Sequence, residues 1–173
     1  MTIYVCPLSI APQMARINKV SHVVSLLDPS TPFPVIEEVG ERHLCIEVHD
    51  IEDNEDGMDP LCELRTKRII EFVSGWDRKQ PILIHCYAGI SRSTATAFIT
   101  ACAQNPGADE EEIALALRGA SDSASPNRRF VAMADAELGR CGRMSRAIDR
   151  IGRGGSWLEI GEARAFSIPS RYP

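Results

Sequence analysis

The sequence predicts an α/β fold: a mostly parallel central sheet of about four or five strands, flanked by helices on both faces. Three observations lead there. Short apolar runs alternate along the chain with helical patterns, the arrangement that right-handed βαβ crossovers produce. Several of these runs, such as residues 20–27 and 81–85, read as buried strands. The third concerns chemistry: Asp50 and Cys86 each close or directly follow such a run, and the carboxyl ends of parallel strands are where these sheets bind ligands.

In chain order, residues 2–6 are β-prone and closed by Pro7, and residues 9–20 form a short helix carrying Met14 and Ile17 on its apolar side. A buried strand at 20–27 ends at Asp28-Pro29, and residues 29–34 are rich in turn formers. Residues 44–48 are the next strand and deliver His49 and Asp50 into an acidic loop. Asp59-Pro60 restarts regular structure, since proline fits a first helical turn, and Leu61, Leu64, Ile69, Phe72, Val73 and Trp76 mark an amphipathic helix. After the strand at 81–85, residues 93–103 are small and apolar nearly all round, as a central buried helix is. Asn105-Pro106-Gly107 stops it. Asp109 with three following glutamates signs the next helix start, with Ile113, Ala116 and Leu117 inside. Ser125-Pro126 opens another, with Phe130, Met133, Ala134 and Leu138 at helical spacing.

A chain of 173 residues with 44% hydrophobic and 25% charged residues is expected to be one globular domain. It has no apolar stretch long enough to span a bilayer, and its first twelve residues lack the basic and apolar regions of a signal peptide. A cytoplasmic location without membrane insertion is therefore expected. Six cysteines, at 6, 45, 62, 86, 102 and 141, include no C-x-x-C pair, so reduced thiols are expected. His22, His43, His49 and His85 show no zinc-type spacing, and no metal or other cofactor is expected. The net charge of −5 is uneven: residues 140–173 hold seven arginines against three acids, while eight acidic residues from Glu47 to Glu63 have no Lys or Arg among them. That balance argues against nucleic acid as a partner.

Residues 81–93 read Pro-Ile-Leu-Ile-His85-Cys86-Tyr87-Ala88-Gly89-Ile90-Ser91-Arg92-Ser93: an apolar strand, a tight turn of small residues, then a helix start. A turn at a helix N-terminus presents unpaired backbone N–H groups, and the helix dipole favours negative charge there. The field that holds a phosphate also stabilises a thiolate at Cys86, which makes it a nucleophile. Arg92 can grip two phosphoryl oxygens with its planar fork. Cysteine, five residues and arginine occur a second time at Cys62 and Arg68, but that copy lies in a charged helical pattern with no glycine and no preceding apolar run. Only the Cys86 copy has the context of a phosphate cradle, lined by Tyr87, Ala88, Gly89, Ile90, Ser91 and Arg92.

The segment from His85 to Ser93 resembles the signature loop of the cysteine-based protein tyrosine phosphatases, and its Ala-Gly-Ile-Ser-Arg-Ser wording is similar to the compact dual-specificity group. Weaker similarity, including Ser125-Pro126-Asn127, extends over residues 1–140. The chain accordingly divides into a phosphatase domain at 1–140 and a basic helix and tail at 141–173, expected to pack on the same domain.

The resemblance implies a two-step phosphoryl transfer through a phosphocysteine on Cys86, with a phosphorylated protein or other phosphomonoester as partner. A leaving alkoxide needs a proton, and the same group can then activate water. Asp50 is the expected acid because it follows a strand, as the general acid does in that family. Asp53 and Asp56 remain alternatives, since Asp50 lies 36 positions before Cys86 and these lie 33 and 30 before it. Ser93, by its position, is implied to hydrogen-bond the departing thiolate. His85 is expected to shape the loop with its side chain turned away from that of Cys86. Asn127 is expected either to face the site or to serve a turn or cap, and Arg128 and Arg129 either to assist binding or to be solvated.

Arg140, Arg143, Arg146, Arg150 and Arg153 recur every three or four residues, so a helix there presents a cationic stripe that is solvated, meets an acidic partner or packs on the acidic loop. Residues 152–156 read as a flexible link before Trp157, which would anchor the end. Under oxidation Cys45 or Cys6 would be the partner of Cys86. The uncharged residues 87–90 disfavour polyphosphoinositides, since lipid phosphatases of that superfamily often carry lysines there. A catalytically idle phosphate-binding module of the same fold, a phosphatase for a non-protein ester, and sulfur transfer through a persulfide are the competing readings. The oligomeric state is left open.

Overall fold

A computed structural model describes residues 1–155 and 157–173. Ser156 and the side chain of Trp157 lie outside the described residues, and with them the end of the expected 152–156 link and the expected anchoring role of Trp157. Five strands, β1 (Thr2–Pro7), β2 (His22–Leu27), β3 (His43–Glu47), β4 (Ile82–Cys86) and β5 (Phe166–Pro169), pair in the spatial order β3-β2-β4-β1-β5. The first four run parallel, and β5 is antiparallel to β1. The helices are α1 (Ala11–Ile17), α2 (Glu63–Ser74), α3 (Arg92–Gln104), α4 (Glu110–Ala120), α5 (Arg128–Glu137), α6 (Arg143–Ile151) and α7 (Trp157–Ile160).

Side chains alternate across a pleated strand, and this sorts each strand between two apolar layers. Ile3 and Val5 of β1, Val24 and Leu26 of β2, and Ile82, Ile84 and Cys86 of β4 join the large core beneath α2 to α6. Tyr4, Cys6, Val23 and Leu83 face the other way, against Ala11 and Ala15 of α1. Helix α3 is the axis of the large layer: every residue from Arg92 to Cys102 is buried, which its Ala, Thr and Ser content permits by letting neighbours approach closely. It packs on β4, β1 and β2. Among the described residues no helix is long and apolar enough to cross a membrane.

Four strands and their crossover helices follow the sequence pattern, and several details differ. Residues 166–169 form an unanticipated fifth strand; the run is short, ends in proline, and is held by pairing with β1. Leu61 is buried but lies before α2, which starts at Glu63, while Leu64 is 70% exposed and Ile17 at the end of α1 is 64% exposed. Asn127, two residues beyond Ser125, is the N-cap of α5 and accepts from Phe130 N at 3.1 Å.

Residues 140–153 contain the expected helix, and the stripe divides: Arg143, Arg146, Arg150 and Arg153 are exposed, as a solvated face is, while Arg140 before the helix is not. Arg140 is buried and donates to Glu110 Oε1 at 2.7 Å and to the carbonyls of Cys102 and Asn105. Arg143 also reaches Glu110, and Arg150 pairs with Glu111, so these cations meet the acidic first turn of α4. Burial alone would raise the Glu110 pKa, but the bonds from Arg143 and Arg140 outweigh it and hold it below the usual carboxylate value. Of these five arginines it is Arg153 that turns to the acidic loop, where it pairs with Glu52 at 2.7 Å.

Candidate active site

The carboxyl ends of β2, β3 and β4 meet the N-termini of α3 and α5 around a cavity of about 430 Å³. Its lining includes Cys86 and the loop residues Tyr87, Ala88, Ile90, Ser91 and Arg92, with Asp28, Asp50 and Glu52 from the other strand ends. Ser125, Asn127, Arg153 and Gly155 complete it. Asp50 and the Cys86 loop therefore share one cavity, whereas Asp53 and Asp56 stand exposed on the acidic loop and do not line it.

The loop owes its shape to its carbonyls, which are bound from outside. Leu8 N donates to Tyr87 O, Ala163 N to Ala88 O, Ser125 N to Ile90 O and Asn127 N to Ser91 O, at 2.8 to 3.4 Å. The Thr94 hydroxyl adds a bond to Ile90 O at 2.6 Å. In a trans peptide the next N–H points opposite to the carbonyl, so the amides of Ala88, Gly89, Ser91 and Arg92 turn away from these anchors. Amides turned inward at a helix N-terminus are the groups that can bind an anion. Gly89 is required twice over: its φ is +74°, and a Cβ would sit 2.9 Å from Pro7 N.

Cys86 is 2% exposed, with Sγ 3.1 Å from Ser93 Oγ across the start of α3. Arg92 is 4% exposed; its Nη1 donates to Asp28 Oδ1 at 3.0 Å and to Val48 O at 2.8 Å, while its Nε is buried without a partner. The Asp50 carboxylate accepts from Ser91 Oγ at 2.7 Å and Asn127 Nδ2 at 2.8 Å through the same oxygen, Oδ1. Asn127 thus both caps α5 and faces the cavity. Arg128 offers its backbone N–H to Glu52 Oε1, and Arg129 bonds Leu61 O, Glu52 O and Asn54 Oδ1, so both brace the acidic loop. Burial would raise the Glu52 pKa, but the Arg128 amide and the Arg153 guanidinium hold it low.

His85 lies on the opposite face of β4 from Cys86 and is fully buried. Its Nε2 is hydrogen-bonded to Ser25 Oγ, which also meets His43 Nε2 at 2.7 Å, a polar chain crossing β4, β2 and β3. Burial pushes its pKa down to about 4, with His43 and Arg92 adding to the effect, so the ring is neutral. Cys45 is excluded as a disulfide partner of Cys86: β2 separates β3 from β4, two ladder spacings amount to about 9 to 10 Å, and a disulfide spans at most about 7 Å between Cα atoms. Cys6 is on the neighbouring strand but faces the α1 layer, where burial and nearby Cys86 push its pKa up to about 12. All six cysteines are free thiols. Among the described residues no cluster of three or more His, Cys, Asp and Glu side chains could hold a metal ion.

Asp28, Glu52 and Arg153 were not singled out as site residues by the sequence. Asp28 reads there as a strand terminator, and the one signal pointing further is that it directly follows a buried apolar run, as Asp50 and Cys86 follow or close theirs. Arg153 reaches the cavity because residues 152–155 fold back onto the Asp122–Ala124 turn, where a Cβ on Gly154 would meet Ala124 O and Asp122 O at 2.6 Å.

No protein-family model and no curated protein matches the sequence. Solved structures do match in fold. The Cydia pomonella PTP-2 phosphatase superposes with a TM-score of 0.59 at 22% identity over 78% of this chain and 84% of its own. A mouse putative dual specificity phosphatase gives 0.58 at 15% identity over 84% and 86%. PTPMT1, solved in complex with PI(5)P, gives 0.59 at 13% identity over 80% and 90%. The chain has the protein tyrosine phosphatase-like fold, in the compact form shared with dual-specificity phosphatases.

Proposed function

We infer that this protein hydrolyses phosphomonoesters through a phosphocysteine on Cys86, with phosphotyrosine, and secondarily phosphoserine or phosphothreonine, as the substrate class. One observation carries the reading: the Cys86 thiol sits in a cavity beside a buried Arg92 whose Nε has no partner, where a phosphoryl group would supply the missing acceptors. The Cys86 thiolate attacks phosphorus, forming the S–P bond as the P–O bond breaks, and the departing oxygen takes a proton from Asp50. Arg92 and the loop amides stabilise the equatorial oxygens. Water then attacks phosphorus, yields its proton to Asp50 and releases inorganic phosphate, while the Ser93 hydroxyl donates to the leaving thiolate.

The position of Asp50 in the cavity supports it over Asp53 and Asp56 as the acid. Of the two cations among the described lining residues, Arg153 is paired with Glu52 and Arg92 keeps a free edge, which favours a single phosphoryl group over a polyphosphate. Tyr87 at the rim, 47% exposed, offers an aromatic face to an aryl ester. The test is release of p-nitrophenol from p-nitrophenyl phosphate by the wild type and by Cys86→Ser. Turnover that vanishes in the variant is expected; turnover that persists, or none in the wild type, removes the proposal.

A further inference from the structure

Asp28 follows the last residue of β2, and Pro29 behind it restricts its backbone to extended conformations. Because β2 pairs in parallel with β4, its carboxyl end emerges at the same sheet edge as Cys86. Asp28 Oδ1 accepts from Arg92 Nη1 at 3.0 Å, and Val48 O, just past the end of β3, accepts from the same nitrogen at 2.8 Å. Nη1 has two N–H groups, so both are committed. Nε, on the other side of the fork, is buried and unpartnered.

A guanidinium is planar, so fixing Nη1 from two strand ends fixes where its other edge points. We propose that Asp28 is a positioning residue for Arg92: it holds the guanidinium so that the Nε and Nη2 edge stays turned to the phosphoryl oxygens. An ion pair serving stability alone gains nothing from a buried donor left unsatisfied, since such a donor carries a desolvation cost. Here the cost falls on the edge that a bidentate phosphoryl contact needs. The inference deepens the proposed hydrolysis at Cys86 and rests on that reading.

The experiment compares Asp28→Ala, Asp28→Asn, Arg92→Lys and the Asp28→Ala/Arg92→Lys double variant on p-nitrophenyl phosphate and phenyl phosphate, with thermal melting to check folding. Asp28→Ala is expected to lower kcat/KM about 10- to 100-fold, as misplacing a binding fork does. The factor should be the same for both esters, and Asp28→Asn, which keeps an oxygen acceptor in place, should recover most of it. In Arg92→Lys there is no fork to aim, so adding Asp28→Ala should cost less than about twofold more. A loss that grows for phenyl phosphate makes Asp28 an acid, and additive losses make it independent of Arg92; either overturns the proposal. Tungstate titrated calorimetrically into Cys86→Ser and Cys86→Ser/Asp28→Ala separates the proposal from catalysis. Binding about tenfold weaker without Asp28 is expected, and equal or tighter binding overturns the proposal. If the wild type hydrolyses nothing, the phosphatase reading fails and the tungstate comparison alone decides Asp28. Asp28→Ser carries the same tests if Asp28→Ala does not fold.

Discussion

Asn127 Nδ2 donates to Asp50 Oδ1 at 2.8 Å, tying the N-cap of α5 to the acidic loop across 77 positions of chain. The same amide reaches Ile51 O at 3.3 Å. The proposed acid is therefore held over the cavity by a residue whose other end caps a helix. Asn127→Ala removes the cap and these bonds, and a destabilisation of about 1 to 2 kcal/mol is expected by chemical denaturation. Turnover of phenyl phosphate should fall more than that of p-nitrophenyl phosphate, because only the poorer leaving group needs the acid. Asp50→Asn should show the larger leaving-group effect, and Asp53→Asn and Asp56→Asn none; the effect appearing in Asp53→Asn instead would reassign the acid.

Ser93 Oγ lies 3.1 Å from Cys86 Sγ, and in the proposed second step it donates to the departing thiolate. Ser93→Ala should slow breakdown of the phosphocysteine more than its formation. Stopped-flow mixing with p-nitrophenyl phosphate should show a burst of about one p-nitrophenol per active site, with kcat reduced and kcat/KM nearly unchanged. Equal falls in both constants without a burst would place Ser93 in the first step.

Gly89 and Gly107 make a matched pair. An alanine at 89 would carry its Cβ 2.9 Å from Pro7 N and 3.0 Å from the Cys6 carbonyl carbon at φ +74°, whereas nothing lies within 4 Å of a Cβ at 107. Positive φ alone costs about 1 to 2 kcal/mol for a side-chain residue, and the backbone contact adds to it. Gly89→Ala should lose stability and turnover together, and Gly107→Ala should stay within about 0.5 kcal/mol of the wild type.

Acid should weaken the fold through His85. Its folded-state pKa is about 4 against an ordinary 6.5, so between those values the unfolded chain binds a proton that the native ring refuses. Stability is complete above pH 6.5 and is lost as pH falls, by about 2 to 3 kcal/mol at pH 4.5 from this residue. His43 and His22, also held low by burial, act in the same direction. Glu52 and Glu110, whose pKa values are lowered, add their losses below about 4.5. Urea denaturation at pH 7 and 4.5 measures the sum, and NMR titration of the His85 ring isolates its part; a ring that titrates near 6.5 would remove the His85 contribution.

The strand, glycine turn and helix start around Cys86 were legible because they are local: thirteen consecutive residues carry the apolar run, the small turn and the arginine. The four parallel strands were legible for a similar reason, since each is a short apolar run closed by a turn former. Arg140 and Glu110 show the limit of periodicity. A stripe every three or four residues predicts a helix face, but it does not say whether that face meets solvent or the first turn of α4, 30 positions earlier. Leu64 shows the same limit from the apolar side, being counted as inner and standing in solvent.

The α/β class, the strand that ends at Cys86 and the glycine turn that follows it are written in runs of neighbouring residues. What surrounds Arg92 depends instead on contacts distant in the chain. Asp28 and Val48 reach one of its nitrogens from the ends of two other strands, 64 and 44 positions away. Sheet order, set by the packing of the two apolar layers and not by neighbouring residues, is what brings those strand ends together.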